Sequence, residues 1–480
     1  MKKLINFIFL IITPVFLFSQ TGTPFIKNFS PEEYLAEGQT WAAVQDDNGM
    51  MYFGSNSGIL IYDGHNWETI KLPNNSPVRS LCKNADGIIF VGAVGEFGYL
   101  SQNKNEGLKY ISLSEKTDSS IRSFSDVWTM KAAGNTVWFA TNEFLFRYNA
   151  NKKPAVIIVN KKQPPFLLYK AWENVFVSIR EKGTYEIVND SLIPLKRMEN
   201  RHPWFMIPYI NDRLIIGDLD GLSIYNPNET DSGKTVSSDI YFDKESIEKT
   251  NEFLNKNQLY TGAVEIGNEK YAVGTLRNGI VIIDQSGEII NIINEEKGLQ
   301  SNTIHYLYKD MQNELWACTA YGISKIDINT PYELFSKTQG IKGSIYDVFR
   351  FHNHFYVTSN LGLFYYTKTG FKGVENLSGK NALQILSPFT YNTEKDSILF
   401  VNTIYGMYRI DNNHPIKINS ITYNSIIQSD VIKSTVYLTV NYELFRMTFQ
   451  NNTFSSQEKI EKFDDLVYLG CELDKNNLFL

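Results

Sequence analysis

The sequence predicts an all-β chain folded as a β-propeller with four-stranded blades, a first ring of about seven blades followed by an incomplete second propeller. Three observations predict it. A short motif recurs along the chain, each copy brings the same flanking turn and glycine, and helix-period segments are scarce.

The motif is an aromatic-apolar pair closed by a small residue. It reads "YFGS" at Gly54, "FVGA" at Gly92, "WFAT" at Ala140, "FVSI" at Ser178 and "IIGD" at Gly217. It continues as "AVGT" at Gly274, "WACT" at Cys318, "YVTS" at Thr358, "FVNT" at Asn402 and "YLTV" at Thr439. The copies lie roughly 40 residues apart, the period of a supersecondary unit. A turn such as "DDNG" or "NADG" precedes many copies, and a glycine follows four or five residues later, as at Gly58, Gly183, Gly279, Gly322, Gly362 and Gly406. A second strand then begins, as in "GILIYD" or "GMYRID". Several short strands per period are the signature of a blade. A small anchor residue lets adjacent blades approach, and the glycine turns a corner through positive φ.

In chain order, residues 1–20 read as a secretory signal. Lys2 and Lys3 precede the apolar "LINFIFLIITPVFLF", and Ser19 stands before Gln20. The alternative is an uncleaved anchor. Residues 21–40 are a lead-in, 41–338 the first propeller, and 339–480 three blades and the start of a fourth. The best helical segment, Ser246 to Lys256, reads as an insertion between blade strands. Rings of more than eight blades are uncommon, so ten or more units imply two rings. The second would be cut short at Leu480.

Composition excludes some functions. A net charge of −6 leaves no basic footprint, so nucleic-acid binding by this segment is not expected. Cys82, Cys318 and Cys471 are odd in number and widely spaced, which suits buried small residues better than disulfides. His352 and His354 would share a face, but with no third ligand in view they read as a hairpin tip and not a metal site. Asp46, Asp47 and Asn48 open like a calcium loop yet lack the closing Glu, and they fit a turn. No nucleophile elbow or phosphate loop is present, and neither a catalytic constellation nor a cofactor is expected.

The best functional signal is positional. About 13 residues before each anchor, where an innermost strand begins, stand Trp41, Arg79, Trp128, Trp204, Tyr260, His305 and Tyr346, with Tyr169 the nearest equivalent in the irregular fourth blade. Rings there suit stacking on a small molecule or glycan, and Arg79 suits a carboxylate or sulfate. The competing explanation is that these rings only plug the channel and wedge the blades. Arg122, in "SIRSF", echoes Arg79 at a longer spacing.

The run "NFSPEEYLAEGQTWAAVQDDNGMMYFGSNSGILIYDGHNWETIKLPNNSPVRSL" (Asn28 to Leu81) resembles the start of the Bacteroidetes-type two-component-regulator propeller proteins. "NELWACTAYGISKID" is similar to their repeat. The resemblance implies a periplasmic ligand-sensing region of a membrane-spanning regulator. In that family a triple-tyrosine immunoglobulin-like domain, a membrane helix and a histidine kinase or helix-turn-helix output typically follow. Membrane and output modules would then lie beyond Leu480, and a homodimer through a propeller flank is the expected self-association. The alternatives are a secreted propeller hydrolase or lyase acting on polysaccharide, and a structural or adhesion propeller.

Overall fold

The computed structural model describes residues 22–479 apart from 104–106, 150–154, 160–164, 228–241, 329, 331, 368–369, 379–384, 394–395, 451–452, 456, 469–470 and 475–476. The expected signal at 1–20 lies outside the described residues. The chain divides into two compact units, Thr23–Leu334 and a second holding Phe335–Leu480.

Thr23–Leu334 is a closed seven-bladed propeller. Its innermost strands, in ring order, are Thr40–Gln45, Val78–Lys83, Thr129–Ala133, Pro165–Ala171, Phe205–Tyr209, Leu259–Gly267 and Ile304–Lys309. Each touches the next, and the seventh returns to the first. Outer strands follow by antiparallel hairpins, giving sheets of four, with three described strands in the fifth.

The circle is closed by the segment read as a lead-in. Phe25–Phe29 pairs antiparallel with Ile323–Asp327 and is the outermost strand of the seventh blade. The last blade therefore joins both ends of the ring, and its third strand, Ile323–Asp327, is not left as the outer edge. Phe29 is fully buried and stacks on Trp316 at 5.8 Å, with Tyr62 and Trp67 against its edge. Burying such a ring stabilises by roughly 2–3 kcal/mol. Thr40 Oγ1 adds polar links across the closure, accepting from Thr319 N at 3.0 Å and donating to Gly322 O at 3.2 Å.

The repeat's small anchors sit where neighbouring blades meet. A Cβ on Gly54 would stand 2.9 Å from Val78 Cγ1 of the next blade, and one on Gly92 2.6 Å from Val127 and Met130. The hydroxyl that follows several anchors closes the hairpin, as Ser55 Oγ donates to Gly58 O at 3.0 Å and Thr403 Oγ1 to Gly406 O at 2.8 Å. Gly58 has φ +121°, and a Cβ there would meet Ile70 O at 2.4 Å. Asp46 closes the preceding turn, accepting from Asn48 N and Met50 N at 2.9 Å.

A helix, Lys244–Asn257, is inserted between the fifth and sixth blades and contains the Ser246–Lys256 expectation. Asp243 caps it by accepting from Ser246 N at 2.9 Å. Its Asn251 amide pairs with both backbone groups of Leu222 in the fifth blade, at 2.7 and 3.1 Å.

The second unit holds three further sheets, whose innermost strands are Ile345–Phe351, Ile385–Asn392 and Ser425–Gln428. A two-stranded piece, Cys471–Asp474 with Asn477–Phe479, follows. The Asn402 anchor holds its neighbour through Tyr423, donating to its carbonyl at 2.6 Å and accepting from its N–H at 3.1 Å. Among the described residues no helix is long and apolar enough to cross a membrane.

Candidate functional site

The geometry that makes the site is a bulge. In the first, second and seventh blades the register shifts by one residue where the inner strand begins, between Thr40 and Ala42, Val78 and Ser80, and Ile304 and Tyr306. The extra residues are Trp41, Arg79 and His305. A bulged residue is unpaired and turned out of the ladder, which aims these side chains into the channel mouth. Trp128 and Trp204 take the equivalent place just before their strands, Thr129–Ala133 and Phe205–Tyr209.

Seven of the eight expected residues, Trp41, Arg79, Trp128, Tyr169, Trp204, Tyr260 and His305, line one central cavity of about 600 Å³. Tyr346 is not among them. It is the bulge residue of the first inner strand in the other unit, and it is 49% exposed. Tyr169 reaches the cavity from a different level than its proposed equivalence implies. A register shift between Pro165 and Leu168 makes Phe166 the position equivalent to Arg79. Tyr169 lies three residues further in, is buried, and donates its hydroxyl to Pro203 O.

The mouth is a compact stack. Trp41 and His305 lie parallel at 4.2 Å, and Trp128 meets Trp41 edge-on at 6.1 Å. The Arg79 guanidinium sits over Trp41 at 4.5 Å and Trp128 at 5.3 Å, a cation–π pair on each side. Its Nε donates to Asp126 at 3.0 Å and its Nη1 to Asn56 at 3.1 Å, and Asn56 also accepts from Trp41 Nε1 at 2.9 Å. Arg79 Nη2 has no partner among the described residues. Across the cavity Trp204 and Tyr260 are 5.6 Å apart. Trp204 also packs against the hydrophobic clusters on both sides of the fifth blade, so part of its role is wedging.

Electrostatics set the state of these groups. Burial holds the His305 imidazole below its ordinary pKa, with Arg79 pushing the same way and the bond to Thr40 O opposing. Its Nδ1 lies 2.9 Å from that carbonyl, so the neutral ring donates from Nδ1 and leaves Nε2 as an acceptor. Burial raises Tyr260 and pushes Tyr306 up to about 12, so both hydroxyls stay protonated.

The sequence reading missed the deeper lining. Lys131, Lys170 and Lys309 project from inner strands two or three residues beyond the level of the anchors, and Arg180 comes from the loop after Ser178. The signal was present as lysines at similar depths in several blades, but only with the blade register in hand.

Other candidates resolve structurally. Arg122 donates to Glu115 O and Thr117 O at 2.8 and 2.9 Å and holds its own loop. His352 sits at a hairpin tip with φ +48° and pairs with Asp396 at 3.0 Å. Cys82 and Cys318 are free thiols, both pushed up to about 12 by burial. No group of three or more metal-binding side chains gathers among the described residues.

No family model matches the chain, and no curated protein matches it. Among solved structures it is similar to the extracellular domain described for a hybrid two component system, BT3049, of B. thetaiotaomicron. The identity is 14% and the TM-score 0.59, over 92% of this chain and 60% of that one. The corresponding domain of BT4673 from the same organism gives 16% and 0.46, over 91% and 61%. A streptogramin B lyase gives 12% and 0.47, over 64% and 98%. At 14% identity the likeness to the BT3049 domain is one of fold, and this chain spans about 60% of that domain's length.

Proposed function

We propose that this chain is the exported ligand-sensing region of a membrane-spanning signalling or transcriptional regulator, without chemistry of its own. The observation that carries the reading is the convergence of one side chain from each of the seven blades, mostly aromatic, on one cavity of about 600 Å³. That volume suits a small molecule or short glycan. A channel plugged only by packing would leave no such space, which speaks against a purely structural or adhesion role. The description of the BT3049 domain as extracellular and part of a two component system supports the same reading. Membrane span and output would belong to sequence beyond Leu480. Ligand binding would act by favouring one of two arrangements of the receptor, by no more than the difference in affinity.

The test is a thermal-shift screen of the exported chain against small molecules and glycans. A ligand of the folded state must raise the melting temperature. Trp128→Ala should abolish the shift with little change in the unliganded protein, because Trp128 is 36% exposed. A shift that survives Trp128→Ala and Arg79→Ala would put the ligand elsewhere.

A second reading, an exported lyase, is favoured by one observation: His305 presents its Nε2 as an acceptor in the cavity that Arg79 and Tyr260 also line. A base of that kind, with a cation to hold a carboxylate, could take the proton α to that group while the C–O bond at the β carbon breaks and the departing oxygen takes a proton from solvent. A steady rise in ultraviolet absorbance from an unsaturated product, lost in His305→Gln, would replace the sensor reading. A hydrolase of the paired-acid kind finds no support, since among the described residues no Asp or Glu lines the cavity.

A further inference from the structure

The charge inside the ring runs opposite to the charge of the chain. The protein carries 52 acidic and 46 basic residues. The cavity is lined by Arg79, Lys131, Lys170, Arg180 and Lys309 and, among the described residues, by no carboxylate. Arg79 pairs with Asp126 at 3.0 Å just outside the lining, and Lys170 lies 3.5 Å from the largely exposed Glu173. Lys131 and Lys309 have no carboxylate partner among the described residues.

Folding offers no reason for this arrangement. Like charges converging in a concave, partly dry space repel one another and lose hydration. Burial lowers the Lys131 ammonium's pKa, the mark of a charge held without compensation. The same arrangement focuses positive potential on whatever enters. The cations also lie at two depths. Arg79 and Arg180 stand at the mouth, while Lys131, Lys170 and Lys309 stand roughly 7–10 Å further in at the rise of an extended strand. Trp41, Trp128 and Trp204 stand at the level of Arg79, and Tyr260 lines the same cavity.

We propose that the cavity binds an anionic ligand, a flat ring or short chain of rings bearing carboxylate or sulfate groups. Its rings lie against Trp128, Trp204 and Tyr260, and its acidic groups reach the lysine layer. This deepens the proposed function and rests on the cavity being a ligand site. Arg79 Nη2 offers a free donor at the entrance, and Lys131 and Lys309 offer charges that a bound anion neutralises.

Calorimetric titration of the exported chain tests it with three probes: digalacturonate, galactose 6-sulfate and neutral galactobiose. At least one acidic probe should bind about tenfold or more tighter than the neutral one, and its affinity should fall with added salt. The arm that binds tells carboxylate from sulfate. Lys131→Met and Lys309→Met should each weaken the acidic probe by about tenfold, and Lys131→Arg should restore most of it. Lys131→Met should leave the unliganded melting temperature unchanged or higher, since it removes an uncompensated charge. A lysine with a merely structural role would lower it. Equal binding of acidic and neutral probes, lost in Trp128→Ala but kept in the lysine variants, overturns the charge inference and leaves the ligand-site reading standing. Binding of none of the three probes also overturns it, and the wider thermal-shift screen then decides the ligand-site reading separately.

Discussion

One repeat builds both units of this chain, yet the same register position has opposite fates in them. In Thr23–Leu334 the bulge residues Trp41 and Arg79 are drawn into a stack, and the inner strand Thr40–Gln45 is almost wholly buried. In the second unit the bulge residue Tyr346 is 49% exposed, as are Ile345 at 49% and Val348 at 48% on the same strand. The local chemistry is shared, since Gly58 and Gly362 turn the same positive-φ corner and Ser55 and Ser359 close the same hairpin. Blade geometry is therefore a property of each repeat, whereas the cavity of the first unit is a property of its closed circle.

Breaking the circle should have the largest effect. Phe29→Ala removes a fully buried ring from the closing strand and should cost about 3–5 kcal/mol. Hydrogen exchange should then show faster opening across 23–334 and little change in 335–480. Equal loosening of both would mean that the closure is not confined to the first unit. Next is the contact between blades. Gly92→Val places a side chain where its first carbon already lies 2.6 Å from Val127 and Met130, and should cost about 1–3 kcal/mol in urea unfolding.

Acidity should also tell the units apart. His305 and His202 both have pKa values lowered in the folded state, chiefly by burial. Below the unfolded histidine value of about 6.5 the unfolded chain binds more protons, so stability falls as pH drops. The melting temperature of the first unit should decline between about pH 7 and pH 5, and less so in His305→Asn. An equal decline in that variant would remove His305 from the account. The smallest effect is expected at the open position. Tyr346→Ala should change stability by no more than about 0.5 kcal/mol.

What could be read from the sequence was what repeats locally. Anchors, corners and turns are each specified within a few residues, and counting back from an anchor found Trp41, Arg79 and His305 at their bulges. The count slipped in the fourth blade, where an irregular register moved the equivalent position from Tyr169 to Phe166. Phe25–Phe29 could not be placed at all, because its partner lies almost three hundred residues away and no spacing announces it. Nothing local marks Lys131 and Lys309, since their place on one cavity depends on closure.

The strand at Phe25–Phe29 also sets an order of events. The earliest part of the propeller to leave the ribosome or cross a membrane has no lasting place until Asp327 has followed. The nascent propeller must wait as an unfinished crescent, its first strand loose, and anything bulky fused close to Phe25 would hinder the last step of assembly.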